Sequence, residues 1–278
     1  MNQINQADYS INTRIKNLIY SLAGITLQEN KDIMIKNRVQ KLLRDTKFNG
    51  SINELLDEIE KGNYTTDLIN AFTTNKTHFF REVFHFEDLR NRVVPEHDIS
   101  QPLNIYCSAS STGEEPYSIA MTVASSGIDV NCSIIATDID TNVLNYAANG
   151  IYRYDKSLKE FPEWIEPSKY LKKRVKQGYG STEILIKIKD EIKKMVSFYE
   201  MNLNDESYPF KPNQFDVIFC RNVLIYFTVE DQEKIIKRLF SHLKLGGTLY
   251  LGHSESPHGI SEVVKRLGHN IFVKISEL

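Results

Sequence analysis

Apolar positions in the first quarter of the chain recur at helical spacing. Ile15, Leu18, Ile19 and Leu22 share one face; Ile33, Ile35, Val39, Leu42 and Leu43 form a second set, and Ile52, Leu55, Leu56 and Ile59 a third. The pattern predicts three or four short helices between residues 11 and 72. Breaks fall at Ala23-Gly24, at Phe48-Asn49-Gly50-Ser51, where Ser51 can cap the next helix, and at Lys61-Gly62-Asn63. The segment 67–87 continues as helix or loop, and we divide the chain there into a helical domain, 1–85, and a larger domain, 86–278.

Beyond residue 100 the rhythm changes to short apolar runs alternating with amphipathic ones. Strands are expected at 103–107, 132–137, 196–200, 215–220, 248–252 and 271–275, with helices at 115–125, 142–148, 231–243 and 261–267. Such alternation predicts a doubly wound, mostly parallel α/β sheet. Lys244-Leu245-Gly246-Gly247 is expected to stop a helix and turn into the next strand. Residues 151–196 break the alternation with Phe161, Trp164 and Pro167, the basic run Lys172-Lys173-Arg174, and Gln177-Gly178-Tyr179-Gly180-Ser181 ahead of an alternating run at 183–189. A glycine-bearing turn between such runs signals a hairpin, so an inserted antiparallel β-subdomain is expected there.

Composition narrows the class without adding chemistry. A chain of 278 residues, 41% apolar and 25% charged, has room for one large core and a smaller one, and no apolar run approaches the roughly 20 residues of a membrane span. The net charge of −2 gives no general footprint for nucleic acid. Cys107, Cys132 and Cys220 lie in apolar segments without metal spacing, and the start lacks the basic and apolar regions of a signal peptide. A cytoplasmic protein without a metal is expected.

The candidate chemistry lies in loops that follow the strands, where ligands of open α/β sheets bind. In Tyr106-Cys-Ser-Ala-Ser-Ser-Thr-Gly-Glu-Glu-Pro-Tyr117 a strand empties into small residues and restarts as a helix with acids in its first turn. The small residues allow a ligand to approach the backbone, whereas the acids would repel a pyrophosphate, so the expected ligand is cationic or hydroxyl-rich. Asp138-Ile-Asp140 ends the second strand, where an acid can hold a ribose hydroxyl pair; either acid also fits a plain helix cap. Asn202-Leu203 could meet an adenine edge. In Cys220-Arg221-Asn222-Val223-Leu224-Ile225-Tyr226 polar groups follow an apolar strand, and they fit either a binding site or a loop-bracing network. Cys220 reads as core and His253 as loop structure.

Taken in order, these runs resemble the CheR-type chemotaxis receptor methyltransferases. The resemblance spans nearly the whole chain: Thr74-Asn-Lys-Thr-His-Phe-Phe-Arg-Glu82, the loop through Glu115-Pro-Tyr-Ser-Ile-Ala120, Ala136-Thr-Asp-Ile-Asp140, Gly150-Ile-Tyr-Arg153, Asn202-Leu203, 215–227 and Gly252-His-Ser-Glu255. It implies a Rossmann-like methyltransferase sheet with a small N-terminal helical domain that meets the receptor, and an inserted β-subdomain. It further implies transfer of a methyl group from S-adenosylmethionine to glutamate side chains of bacterial chemoreceptors, giving methyl esters and S-adenosylhomocysteine. By this resemblance Asn75, Thr77, Arg81, Glu115, Asp138, Asn202, Leu203, Arg221 and Asn222 line the cofactor pocket, and Arg81 and Tyr226 lie nearest the transferred methyl.

Thr77 and Arg81 are four residues apart, so on a helical turn they would share a side. A glutamate acceptor, with a pKa of about 4.3, is already ionised at neutral pH and needs no general base. Lys36, Arg38, Lys41 and Arg44 would form a basic face on the second helix, suited to the acidic methylation helices of a receptor. Family members that bind a receptor's C-terminal peptide add it as a strand to the β-subdomain. A monomer is expected, with no nucleic-acid partner and no membrane insertion. The competing classes are an S-adenosylmethionine enzyme for a small molecule or RNA, a cofactor-binding scaffold without turnover, and, more remotely, a dehydrogenase, against which the missing G-x-G-x-x-G speaks.

Overall fold

The computed structural model describes residues 6–153, 161–178 and 181–278; Tyr179 and Gly180, at the tip of the expected hairpin, lie outside them. The N-terminal helices are α1 (Gln6–Ala23), α2 (Asp32–Asp45), α3 (Ile52–Glu60) and α4 (Thr65–Phe72). Ser51 caps α3 in a full capping box, its hydroxyl accepting from the Glu54 N–H while the Glu54 carboxylate accepts from the Ser51 N–H. Ile15, Ile19, Ile35, Val39, Leu42, Leu55, Leu56, Ile59, Leu68 and Phe72 form a core of their own. Ile33 is the exception to the periodicity: it is 80% exposed and stands on the outer face of α2.

Phe79 and Phe80 already pack into the core of the sheet. A helical passage, α5 (Phe84–Asp88), a π turn at Leu89–Val93 and α6 (Val94–Glu96), leads to β1 (Leu103–Ser108) and α7 (Glu114–Ser125). Next come β2 (Cys132–Asp138), α8 (Thr141–Asn149) and the insertion, made of β3 (Ile151–Arg153), α9 (Pro167–Tyr170), β4 (Leu171–Gly178) and β5 (Ser181–Ile188). The chain returns through α10 (Asp190–Lys193), β6 (Val196–Glu200), β7 (Phe215–Cys220), α11 (Val229–Ser241), β8 (Leu243–Leu251), β9 (Val264–Gly268) and β10 (Ile271–Lys274).

Seven strands form one sheet in the order β6-β2-β1-β7-β8-β10-β9, parallel from β6 to β8 and antiparallel at β10 and β9. Burial on both faces explains the continuous apolar runs 105–107 and 217–220, while the partly buried Asn104 and Asp216 lie at the starts of these strands. The order reverses between β1 and β7, so the loops after these two strands open side by side at a topological switch point. β3, β5 and β4 form the separate antiparallel sheet expected of the insertion. It is anchored to the main body by Tyr152, whose hydroxyl donates to the Thr112 carbonyl at 2.8 Å and whose ring packs edge-on against Phe79.

Two local expectations are corrected. Residues 261–267 do not form a helix; turns lead into β9, which pairs antiparallel with β10 through a tight turn at His269 and Asn270, both left-handed. The run Lys244-Leu245-Gly246-Gly247 is not a turn between elements but the start of β8, whose register against β7 shifts there and where Gly246 takes a φ of 77°. No helix among the described residues is long and apolar enough to cross a membrane.

Candidate active site

The loop after β1 bends at once. The N–H groups of Ala109 and Ser110 both donate to the Thr137 carbonyl at 2.8 Å, and Ala109 and Ser111 take left-handed φ values of 73° and 49°. Gly113, at 95°, must be glycine: a Cβ there would lie 2.7 Å from the Ala147 methyl and 2.8 Å from the Tyr152 hydroxyl. Asp138 braces this loop, accepting from Ser111 N–H at 2.8 Å on Oδ2 and from Asp140 N–H at 2.9 Å on Oδ1. Each oxygen keeps acceptor capacity for a ligand. Burial pushes the Asp138 carboxyl up from its ordinary range, against the pull of those two N–H donors. Asp140 is the cap of α8, accepting from the N–H groups of Asn142 and Val143.

The loop after β7 is held by ion pairs. Arg221, with its side chain fully buried, reaches Glu115 at 2.5 Å and Glu82 at 3.1 Å, and also donates to the Arg81 carbonyl. Asn222, left-handed at φ 57°, donates from Nδ2 to Glu82 at 3.1 Å. Glu82, which carried no role in the sequence reading, is therefore the hub of this wall. Burial opposes its charge, yet Arg221 and the hydrogen bonds from Asn222 and His253 hold its carboxyl down at about 2. Glu115 is pushed up by burial against the opposing pull of Arg221. Cys220 is fully buried among apolar side chains, as expected of a core residue.

The helical domain roofs the cleft. Thr73 and Asn75 donate to Asp140 at 2.6 and 2.8 Å, and Asn70 to Thr141 at 3.1 Å. On the other side Tyr20 donates to Asp231 at 2.9 Å, and Thr26 N–H to the Tyr226 carbonyl at 2.8 Å. Asn202 spends its amide on this junction, donating to the Leu22 carbonyl and accepting from Asn204 N–H. Thr77 and Arg81 do not share a helical turn, because residues 73–78 are irregular and the chain turns at Phe80, φ 53°. They nevertheless meet on the same cleft.

That cleft, about 880 Å³ with its open mouth, is lined by all of Asn75, Thr77, Arg81, Glu115, Asp138, Asn202, Leu203, Arg221, Asn222 and Tyr226. Buried acceptors on Asp138 and the close-approach loop of Ala109 and Ser111 fit a hydroxyl-bearing nucleoside. The α2 basic face is thinner than its spelling. Arg38 is half-buried, donating to the carbonyls of Ala71 and Thr73 at 3.1 and 3.0 Å beside the Phe72 ring, so it braces the end of α4; Lys41 and Arg44 are exposed. Among the described residues no group of three or more His, Cys, Asp or Glu is placed to hold a metal.

Comparison with known proteins agrees with this geometry. Residues 13–73 match the CheR methyltransferase all-alpha domain, and residues 75–273 the CheR methyltransferase S-adenosylmethionine-binding domain. A chemotaxis protein methyltransferase of Escherichia coli is 38% identical over 87% of this chain and 83% of its own length. One from Borreliella burgdorferi is 35% identical over 89% and 88%, and chemotaxis protein methyltransferase 2 of Pseudomonas aeruginosa 34% over 93% and 91%. With both domain types in order and relatives this similar across most of its length, the chain belongs to the CheR methyltransferase family.

Proposed function

We propose that this S-adenosylmethionine-dependent methyltransferase of chemotaxis acts on glutamate carboxylates of a chemoreceptor, leaving methyl esters and S-adenosylhomocysteine. The observation that carries the reading is the convergence, on one cleft, of the Asp138 carboxylate, the small-residue loop and the pair Arg81 and Tyr226. S-adenosylmethionine bound there supplies an electrophilic methyl on a cationic sulfur. Asp138 would accept from ribose hydroxyls, Asn202 and Leu203 would flank the base, and Asn75, Thr77, Glu115, Arg221 and Asn222 would complete the cofactor wall.

Arg81 and Tyr226 have a positioning task. The acceptor oxygen arrives ionised, so the protein need only align it and exclude water where opposite charges collapse into a neutral ester. An arginine that gripped the carboxylate too tightly would stabilise the ground state, so alignment dominates its contribution. The acceptor helix would approach past Lys41 and Arg44 on α2. The small sheet ends in β3 and β4, and a receptor tail peptide would add at one of those edges.

The test is incubation with methyl-labelled S-adenosylmethionine and receptor cytoplasmic fragments. Label released as methanol in alkali supports a glutamate ester. Alkali-stable label would point to a nitrogen or aryl acceptor and overturn the reading, and cofactor binding without turnover would mark a scaffold.

A further inference from the structure

The turn that follows Arg221 is built around an internal anion. Glu255, 5% exposed, sends its carboxylate into the hollow formed by three successive N–H groups. Oε2 accepts from Asn222 at 2.9 Å and from Gly252 at 2.6 Å; Oε1 accepts from Val223 and Leu224, each at 2.8 Å. All four lone-pair positions of the carboxylate are thus occupied by backbone donors. Consecutive N–H groups around a left-handed residue form an anion-binding nest, and here the chain fills its own nest.

The fit leaves no slack. A Cβ at Gly252 would stand 2.6 Å from Asn222 Nδ2 and 2.8 Å from its backbone nitrogen, so glycine is required for the carboxylate to approach. Asn270 closes the far side, donating from Nδ2 to the carbonyls of Gly252 and Glu255 at 2.7 and 2.9 Å. The gripped residues lead directly into the short turn Leu224–Tyr226, in which Tyr226 N–H donates to the Val223 carbonyl.

We infer that Glu255 is a positioning residue for methyl transfer: by clamping the backbone of 222–224 it fixes where Tyr226 stands in the cleft. The inference rests on the proposed placement of Tyr226 next to the transferred methyl. Of the cofactor wall Glu255 grips only Asn222 and Val223; Arg221 is held independently by Glu115 and Glu82, and the rest of the wall comes from the 73–81 segment and the loops after β1, β2 and β6, which Glu255 does not touch. Loosening the clamp should therefore cost turnover more than cofactor affinity.

Glu255→Gln turns one acceptor oxygen into a donor facing two N–H groups. With the full-length protein and receptor fragments, kcat should fall roughly 10- to 100-fold, the loss expected from one or two charge-assisted hydrogen bonds. Calorimetric affinity for S-adenosylhomocysteine should stay within about threefold, because the cofactor's binding energy is spread over several loops. A double-mutant cycle separates positioning from mere scaffolding: Glu255→Gln should cost little further turnover in a Tyr226→Phe background. Should Glu255→Gln be insoluble, Gly252→Ala pushes the same turn while keeping the carboxylate, and the same kcat-selective loss is expected. A folded variant with wild-type kcat, or full additivity with Tyr226→Phe, overturns the inference. Wild-type turnover of Tyr226→Phe itself would instead remove the placement of Tyr226 on which the inference rests.

Discussion

Replacing Asp138 offers the sharpest test of the cofactor site, because the structure separates its two tasks. Its oxygens accept from Ser111 and Asp140 N–H groups and keep lone pairs toward the cleft. Asp138→Ala removes the ligand contacts and also orphans two buried donors, whereas Asp138→Asn keeps a single oxygen that can serve one of those donors and the ligand, and sets an NH2 group against the other donor. Two hydroxyl contacts to a charged acceptor are each worth about 1.5–3 kcal/mol, so Asp138→Ala should weaken S-adenosylhomocysteine binding by about two to four orders of magnitude. Asp138→Asn should fall between that variant and the parent. Titration calorimetry on protein shown to be folded by circular dichroism reads both. Because burial raises the carboxyl above its ordinary range, affinity in the parent should also decline with acidification at a pH above that of a free aspartate, a decline that neither variant shares. Unchanged affinity in folded Asp138→Ala would refute the assignment of Asp138 to the ribose.

Arg81→Ala should reduce kcat more than cofactor affinity; equal losses would make Arg81 chiefly a cofactor ligand. Lys41→Glu with Arg44→Glu should raise the receptor's KM at low salt and leave cofactor affinity alone, and an unchanged KM would return both to the solvated face. Arg38→Ala belongs to a different class: it should lower thermal stability through the end of α4, read by calorimetry, and an unaltered Tm would deny it the bracing role. Acid should destabilise the fold from an unusually high pH. Desolvation, helped by the Arg221 charge, lowers buried His85 from 6.5 to about 3, so its contribution is whole above pH 6.5 and is lost toward pH 3 at on the order of 1.4 kcal/mol per pH unit. Glu82, also depressed, adds its loss from its ordinary range down to about 2. In urea melts across pH 4–7, His85→Gln, which can still donate to the His269 carbonyl, should flatten the upper part of the slope; identical slopes would contradict this.

The cleft was legible in the sequence wherever an apolar strand ran out into polar or small residues. Ser108 to Gly113, Asp138 and Arg221-Asn222 announce themselves this way because small or polar residues stand out at the end of a buried apolar strand, although the spelling leaves binding and loop bracing as alternatives. What stayed hidden depended on distant partners. Glu82 is one acidic residue among many until its long-range neighbours Arg221 and Asn222 are known. Glu255 shows in the sequence only as part of a motif, since its partners are backbone N–H groups, which spelling cannot display. Residues 261–267 misled for a local reason: Val263, Val264 and Leu267 are spaced as on a helix, and only the Gly268-His269-Asn270 turn betrays an edge hairpin.

The charge of the cleft revises why this loop selects its ligand. Read along the chain, the acids near the loop appear to repel a pyrophosphate together. In three dimensions Arg221 pairs with both Glu115 and Glu82, and the ionisable residues of the walls, Lys76, Arg81 and Arg221 against Glu82, Glu115 and Asp138, balance in charge. Selectivity for a nucleoside bearing a cationic sulfur cannot then follow from net charge. It must follow from position: one buried carboxylate at the end of β2 held by backbone N–H groups, and a β1 loop whose Ala109 and Ser110 N–H groups are turned inward onto Thr137. A phosphate-binding loop presents such N–H groups to its ligand, whereas this loop has none of that pair to offer. The same logic recurs at the nest after β7, where Glu255 fills the other ready-made anion site. The inward N–H pair of the β1 loop and the nest after β7 are thus both taken by the chain's own acceptors, so under the proposed function hydroxyl and sulfonium recognition would fall to the side chains of the cleft.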